Sequence, residues 1–130
     1  MKRSGLFLIG FITIIFLTAC GGGLKNDTPV TAAKTLMRGL NEGDRELIDE
    51  INRSGDYFPI DYLLDVTRPL NIKDVDNIND FKFVQDKDDE NIVTVNFKDC
   101  EGIEHFIKLL LSDEKDEYFF VNIEDYGSKK

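Results

Sequence analysis

Ile92-Val93-Thr94-Val95-Asn96-Phe97-Lys98 is the stretch whose reading decides the fold. Val93, Val95 and Phe97 alternate with Thr94, Asn96 and Lys98, the two-residue period of a strand with one buried and one wet face. Upstream, Asp86-Lys87-Asp88-Asp89-Glu90-Asn91 reads as a turn, and before it Phe81 and Phe83 flank Lys82 with the same period. Downstream, Asp99-Cys100-Glu101-Gly102 reads as a hairpin turn and Ile103 to Leu111 as the next strand. Ser112 to Glu117 is a polar, acidic connection, and Tyr118 to Tyr126 is the last strand, with Phe119, Val121 and Ile123 facing inward. Short strands joined by short turns predict an antiparallel meander of three or four strands.

Ahead of the meander the period is helical. Val30, Ala33, Met37 and Leu40 recur at three- and four-residue spacing, and Leu36 widens the stripe. Thr28 caps this helix, Pro29 fits its first position, and Gly43 is the expected left-handed stop. Asp44 caps a second helix from Arg45 to about Asn52, with Leu47, Ile48 and Ile51 as its apolar positions. Ser54-Gly55-Asp56 breaks it. Pro59 starts a short third helix, Ile60 to Val66, expected to bury Tyr62, Leu63 and Val66 or Leu64, and Pro69 stops it. Asn71 to Asp80 reads as a loop or an irregular edge strand. Helices followed by a meander with one polar face give an α+β class, with the helices on one side of the sheet.

The first twenty residues carry a different signal. Lys2 and Arg3 precede an apolar run from Leu6 to Leu17, interrupted by Gly10 and Thr13. Twelve helical residues rise roughly 18 Å, too short for a hydrocarbon core of roughly 30 Å, so the run fits an export signal better than a membrane span. Leu17-Thr18-Ala19-Cys20 resembles the lipobox of bacterial lipoproteins. The resemblance implies a diacylglycerol on the Cys20 thiol and cleavage between Ala19 and Cys20, with residues 1–19 removed. Two acyl chains anchor durably where one does not. Residues 20–27 then form a lipidated flexible tether, 28–126 the folded domain and 127–130 a tail. The expected location is the extracytoplasmic face of the cell membrane, held by lipid on Cys20. No acidic residue follows Cys20 directly, and the Asn, Ile, Lys and Asp content fits a low-GC Gram-positive composition.

Cleavage removes Lys2 and Arg3 and leaves all 25 acidic residues, so the formal charge moves from −9 to −11. Such a chain lacks the basic face that phosphate backbones require, which excludes nucleic acid as a partner. It is also repelled by anionic lipid, so the acyl chains rather than electrostatics must hold it at the surface. With Cys20 lipidated, Cys100 has no partner for an intramolecular disulfide, and a buried, inert thiol is expected.

His105 is the single histidine and falls on the apolar face with Ile107, Leu109 and Leu111. No carboxylate partner is assignable to it from sequence. The acidic run from Asp86 to Glu90 fails a calcium-loop test: the sixth and twelfth positions are Asn91 and Phe97, where Gly and Glu are required. From Asp74 the fifth position is Ile78, again wrong. No Ser–His–Asp order, phosphate-cradling loop, CxxC or HExxH is present. No metal or cofactor is expected, and no catalytic residue is assigned.

The capped first helix, Leu40-Asn41-Glu42-Gly43-Asp44, the second helix and a meander ending in an aromatic-Val-Asn-Ile strand resemble small NTF2-like (cystatin-like) lipoprotein domains. The resemblance covers about residues 28–126 and implies a long helix across a curved antiparallel sheet. It also implies a conical pocket, with His105, Tyr62 and Phe97 as candidate pocket residues. The tryptophan often carried in the last strand is absent; Phe119 or Phe120 stands in its place. Fold of this kind does not fix function. The expected function is a non-enzymatic cell-surface lipoprotein acting by protein–protein interaction with an envelope or secreted protein, of an immunity, exclusion or assembly-accessory type. The alternative is a small-ligand binder with its pocket between the first helix and the sheet.

Overall fold

The computed structural model describes residues 26–129. Cys20, the signal segment 1–19 and nearly all of the tether lie outside the described residues. Three helices precede a four-stranded antiparallel sheet, an α+β arrangement: α1 (Pro29–Glu42), α2 (Arg45–Ile51), α3 (Ile60–Thr67), β1 (Lys82–Gln85), β2 (Ile92–Lys98), β3 (Glu104–Glu114) and β4 (Glu117–Lys129). The strands lie in sequence order, β1-β2-β3-β4.

α1 begins and ends on the residues its sequence marks. Thr28 Oγ1 accepts the Thr31 N–H, Pro29 opens the helix, and Gly43 closes it at φ 70°. Ala32, Ala33, Leu36, Met37 and Leu40 are buried against Val93, Val95, Ile107, Leu109 and Leu111 of the sheet in one core. Full burial of each larger side chain contributes roughly 1.5–3 kcal/mol. Gly39 permits α2 to approach: a Cβ there would lie 2.8 Å from Ile48 Cγ1. α2 is capped by Asp44 and buries Ile48 and Ile51, while Leu47 is only half-buried.

Several expectations are corrected. Tyr62 is not buried by α3; it is 52% exposed and stacks on Phe58, while Leu63 is the fully buried residue of that turn. The helix runs through Thr67 into a 3-10 turn, Arg68–Leu70. Residues 71–80 form neither strand nor simple loop but two further 3-10 turns, Ile72–Asp74 and Ile78–Asp80. Asn41 of α1 fixes this segment by donating to the carbonyls of Ile72 and Val75.

The acidic connection between the last strands is shorter than its composition suggests. Glu114 pairs with Glu117, leaving a two-residue turn of Lys115 and Asp116 at φ 54° and 70°. Two left-handed residues give the turn whose twist matches a hairpin. Without the usual Asn-Gly signature it reads as a polar loop. The last strand extends to Lys129, so residues 127–129 are paired strand rather than tail. Its inward residues are Phe120 and Ile123, with Phe119 and Val121 half-buried. The register shifts between Leu110 and Leu111 and between Lys108 and Leu109. Each such irregularity inserts a residue and breaks strict alternation, which is why Phe119 and Val121 of the expected inward set are only half-buried while Ile123 is buried as expected.

The start of the described chain is pinned. The Tyr118 N–H donates to the Asn26 carbonyl at 2.7 Å, and Thr35 Oγ1 donates to Asn26 Oδ1 at 2.6 Å. The chain therefore enters the domain at the end of the sheet that carries the β1–β2 and β3–β4 turns. Among the described residues no helix is long and apolar enough to cross a membrane.

Candidate functional site

The opposite end of the sheet holds the one buried titratable pair among the described residues. The β2–β3 turn is closed by backbone bonds from Asp99 N to Ile103 O and from Gly102 N to Asp99 O, with Gly102 at φ 83°. Asp99 Oδ1 accepts the N–H groups of Glu101 (2.9 Å) and Ile103 (3.1 Å). This is the local capping for which Asp is favoured at turns. Asp99 Oδ2 accepts from Asn71 Nδ2 at 3.0 Å and faces His105 Nε2 at 2.8 Å. His105 Nδ1 lies 2.6 Å from Ser128 Oγ, its cross-strand neighbour on β4.

The proton positions follow from these partners. An ionised carboxylate only accepts, so Nε2 carries a hydrogen. In the neutral ring Nδ1 then accepts the Ser128 hydroxyl. His105 donates to Asp99 and holds its carboxyl well below the usual carboxylate range; Asn71 and the amides of Ile103 and Glu101 add to this, and burial opposes it without prevailing. The side chains of His105 and Asp99 are 2% and 1% exposed. Phe97 packs its ring 5.5 Å from the imidazole, and Phe81 meets Phe97 edge-on at 5.1 Å.

Both carboxylate oxygens and both ring nitrogens are thus engaged inside the protein. The pair ties four pieces of chain together: the 3-10 segment through Asn71, the β2–β3 turn, β3 and the end of β4. Asn71 sits in the left-handed region at φ 55°, a conformation Asn tolerates better than most residues. General acid–base work needs a ring nitrogen directed at a substrate, and here both point at protein groups.

Beside this pair lies a cleft of about 550 Å³. Its lining includes Phe97 and His105, two of the three candidate pocket residues; Tyr62, on α3, is not among them. No α1 residue lines it either. The interface of α1 with the sheet is filled by fully buried side chains, so the cleft lies elsewhere than the pocket expected between the first helix and the sheet. Asp74, Asp76 and Asp80 contribute acidic groups, and Lys82, Lys98 and Lys129 basic ones. The sheet register sets Glu104 between Lys98 and Lys129, and Lys98 Nζ approaches Glu104 at 3.9 Å. Phe106 lies over Gly127 of β4, where a Cβ would come within 3.1 Å of the ring.

Cys100 at the turn is exposed, against the expectation of burial. Desolvation and the carboxylates of Asp74, Asp99, Glu101 and Asp76 push its thiol up, so it is a poor thiolate. The acidic run behaves as a turn: Asp86 Oδ2 accepts the Asp88 and Asp89 amides, and Asp89 Oδ1 that of Asn91.

Sequence reading missed Asn71, Asp99 and Ser128. Asp99 carried a usable signal: it opens the turn that returns the chain to His105 six residues later. Asn71 arrives from a distant segment and Ser128 from the supposed tail, and neither carried one. No protein-family model, curated protein or solved structure matches this chain.

Proposed function

We propose that this protein is a lipid-anchored lipoprotein of the extracytoplasmic membrane face that acts by binding an envelope or secreted protein, with no catalysis of its own. Leu17-Thr18-Ala19-Cys20 supports the anchor, and the NTF2-like resemblance supplies the type of scaffold. The observation that carries the non-catalytic reading is the internal saturation of the His105–Asp99 pair. A catalytic site normally presents at least two convergent titratable groups to substrate. Here the candidate pair holds the scaffold, and the charged cleft beside it is left for recognition.

The test is made in cells. Cys20→Ala is expected to move the protein out of the membrane fraction, and photo-crosslinkers at Lys98 and Lys129 are expected to trap one defined protein. Crosslinks from the probe at position 129 that remain diffuse and unchanged by Lys98→Glu would contradict the interaction reading. The cleft volume favours a second reading, a small-ligand site, because it falls within the usual range for such pockets. A ligand screen by thermal shift that moves the melting point of the parent, but not of a Phe106→Ala variant, would favour it over the first.

A further inference from the structure

We infer that the free edge of β4 is an interface for a second copy of this chain, which pairs with it antiparallel about a two-fold axis at Gly127 and joins the two sheets into one. The inference does not depend on the lipid anchor.

β4 is an edge strand, the last in the order β1-β2-β3-β4. Its outer side is used by Asn26 at Tyr118 and by Asn52 and Arg53 at Phe120. Among the described residues no backbone pairs with that side from Val121 to Lys129. The extra residues of its irregular pairing fall at Val121 and Glu124, so Asp125 to Lys129 is a regular run. The ladder fixes which backbone groups are free. The Leu111 N–H donates to the Asn91 carbonyl and the Asp99 N–H to the Ile103 carbonyl, which aims the odd-numbered residues of β3 at β2. Glu104, Phe106 and Lys108 then bond Lys129, Gly127 and Asp125 of β4. The N–H and C=O groups of Tyr126 and Ser128 face the open edge. The Tyr126 N–H is held there by Oδ1 of its own neighbour Asp125 at 2.9 Å.

Charge selects the register. Tyr126 opposite Ser128 of the second copy places Gly127 opposite itself and Asp125 opposite Lys129. On the outer sheet face this completes a row. One copy contributes Lys98, Glu104 and Lys129 from β2, β3 and β4, and the second continues with Asp125 and Lys108. The charges alternate in sign along the whole row, and opposite charges facing each other across strands stabilise the pairing. The slip of two residues that brings Tyr126 opposite itself sets Asp125 opposite Gly127 and breaks the row. The formal charge of −9 on each chain repels at long range. Physiological salt screens that repulsion beyond roughly 8 Å, while the charges of the row are in contact.

The side chains fit the axis. Directly opposed residues that share no hydrogen bond bring their Cα atoms to roughly 4.5 Å, and Gly127 has no side chain to clash there. The half-buried Phe106 ring already occupies that space, 3.1 Å from where a Cβ would stand, so the two rings flank the axis. On the other face Tyr126, 45% exposed, comes to lie over Ser128 of the second copy and covers the wet end of the His105 clamp. The cleft stays open on the side of Asp80 and Lys82.

The strip is small, so the pairing is reversible and the test traps it. The full-length chain carrying Cys100→Ser, Asp125→Cys and Lys129→Cys is expressed in cells and mildly oxidised. All three positions are exposed, so the fold is retained. A disulfide-linked dimer is expected at several-fold the yield from Cys100→Ser chains carrying Asp125→Cys or Lys129→Cys alone. In the proposed register each of those positions lies four residues, roughly 13 Å, from its own counterpart. All three chains share Cys20, so the comparison holds whether or not that thiol is lipidated. No dimer, or equal yields from all three, overturns the inference. A disulfide to a different protein also overturns it and marks the edge as a site for a foreign strand. Asp125→Lys, which sets like charges against Lys129 of the second copy, should weaken the dimer of the detergent-extracted chain roughly tenfold in sedimentation. Unchanged dissociation overturns the register. The same pairing adds a homodimer to photo-crosslinks at position 129, distinct in mass from an envelope partner.

Discussion

Replacing His105 with alanine is expected to destabilise the domain strongly, and the size of the effect follows from its surroundings. The ring is 4% exposed, engages Ser128 through one nitrogen and a buried acceptor through the other, and packs on Phe97. Ser128 is exposed, so its hydroxyl rehydrates at little cost. The other hydrogen bond is to a charged group, a class that contributes roughly 1.5–3 kcal/mol. The ring-sized space against Phe97 adds on the order of 1 kcal/mol or more. The combined loss is about 3 kcal/mol. In a domain of this size each kcal/mol lowers the melting midpoint by roughly 4–8 °C, so the variant should melt at least ~12 °C below its parent. Circular dichroism on a lipid-free chain starting at Gly21 measures this. His105→Gln, whose amide offers a donor toward the same carboxylate, should recover part of the loss. An alanine variant melting within roughly 3 °C of the parent would show that the ring is not an internal clamp, and with it the non-catalytic reading of the pair would fall.

Two further outcomes follow from the same geometry. Asp99 is held below its ordinary value of 3.8 by His105 first and Asn71 second. Its contribution is therefore fully present above that value and is lost as the pH falls below it, because the unfolded chain takes up the proton first. Urea midpoints of the parent and Asp99→Asn should differ at neutral pH and converge under acid; a gap that widens on acidification reverses the sign and contradicts the assignment. Gly39→Ala should destabilise although alanine is the better helix former by roughly 1 kcal/mol, since its Cβ would meet buried Ile48 Cγ1 at 2.8 Å. Adding Ile48→Ala should make the double variant less unstable than the two losses combined, and strict additivity in a double-mutant cycle would argue against that contact.

Much of this architecture was legible because local rules and global packing agree. Thr28, Pro29 and Gly43 each specify one step of α1, and Val93, Val95 and Phe97 specify the buried face of β2. Reading failed where tertiary context overrode pattern. The irregular pairing of β3 with β4 turned Phe120 inward in place of Phe119. A primed turn built from Lys115 and Asp116 looked like acidic linker. The site was legible only in part. His105 and Phe97 could be placed on an inward face by period alone, but Tyr62 belongs to another surface. Pairing His105 with Asp99 required the exact length of the turn between them, and the Asn71 contact joins residues 28 positions apart. Hydrogen bonds between distant segments leave no periodic trace in a single sequence.

The proposed anchor underlies the proposed function, and the mass of the membrane-extracted protein tests it most directly. The account predicts a mature chain whose first residue is Cys20, carrying a thioether-linked diacylglyceryl group and lacking Lys2 and Arg3. A chain that retains the residues before Cys20, or that begins there without lipid, contradicts it.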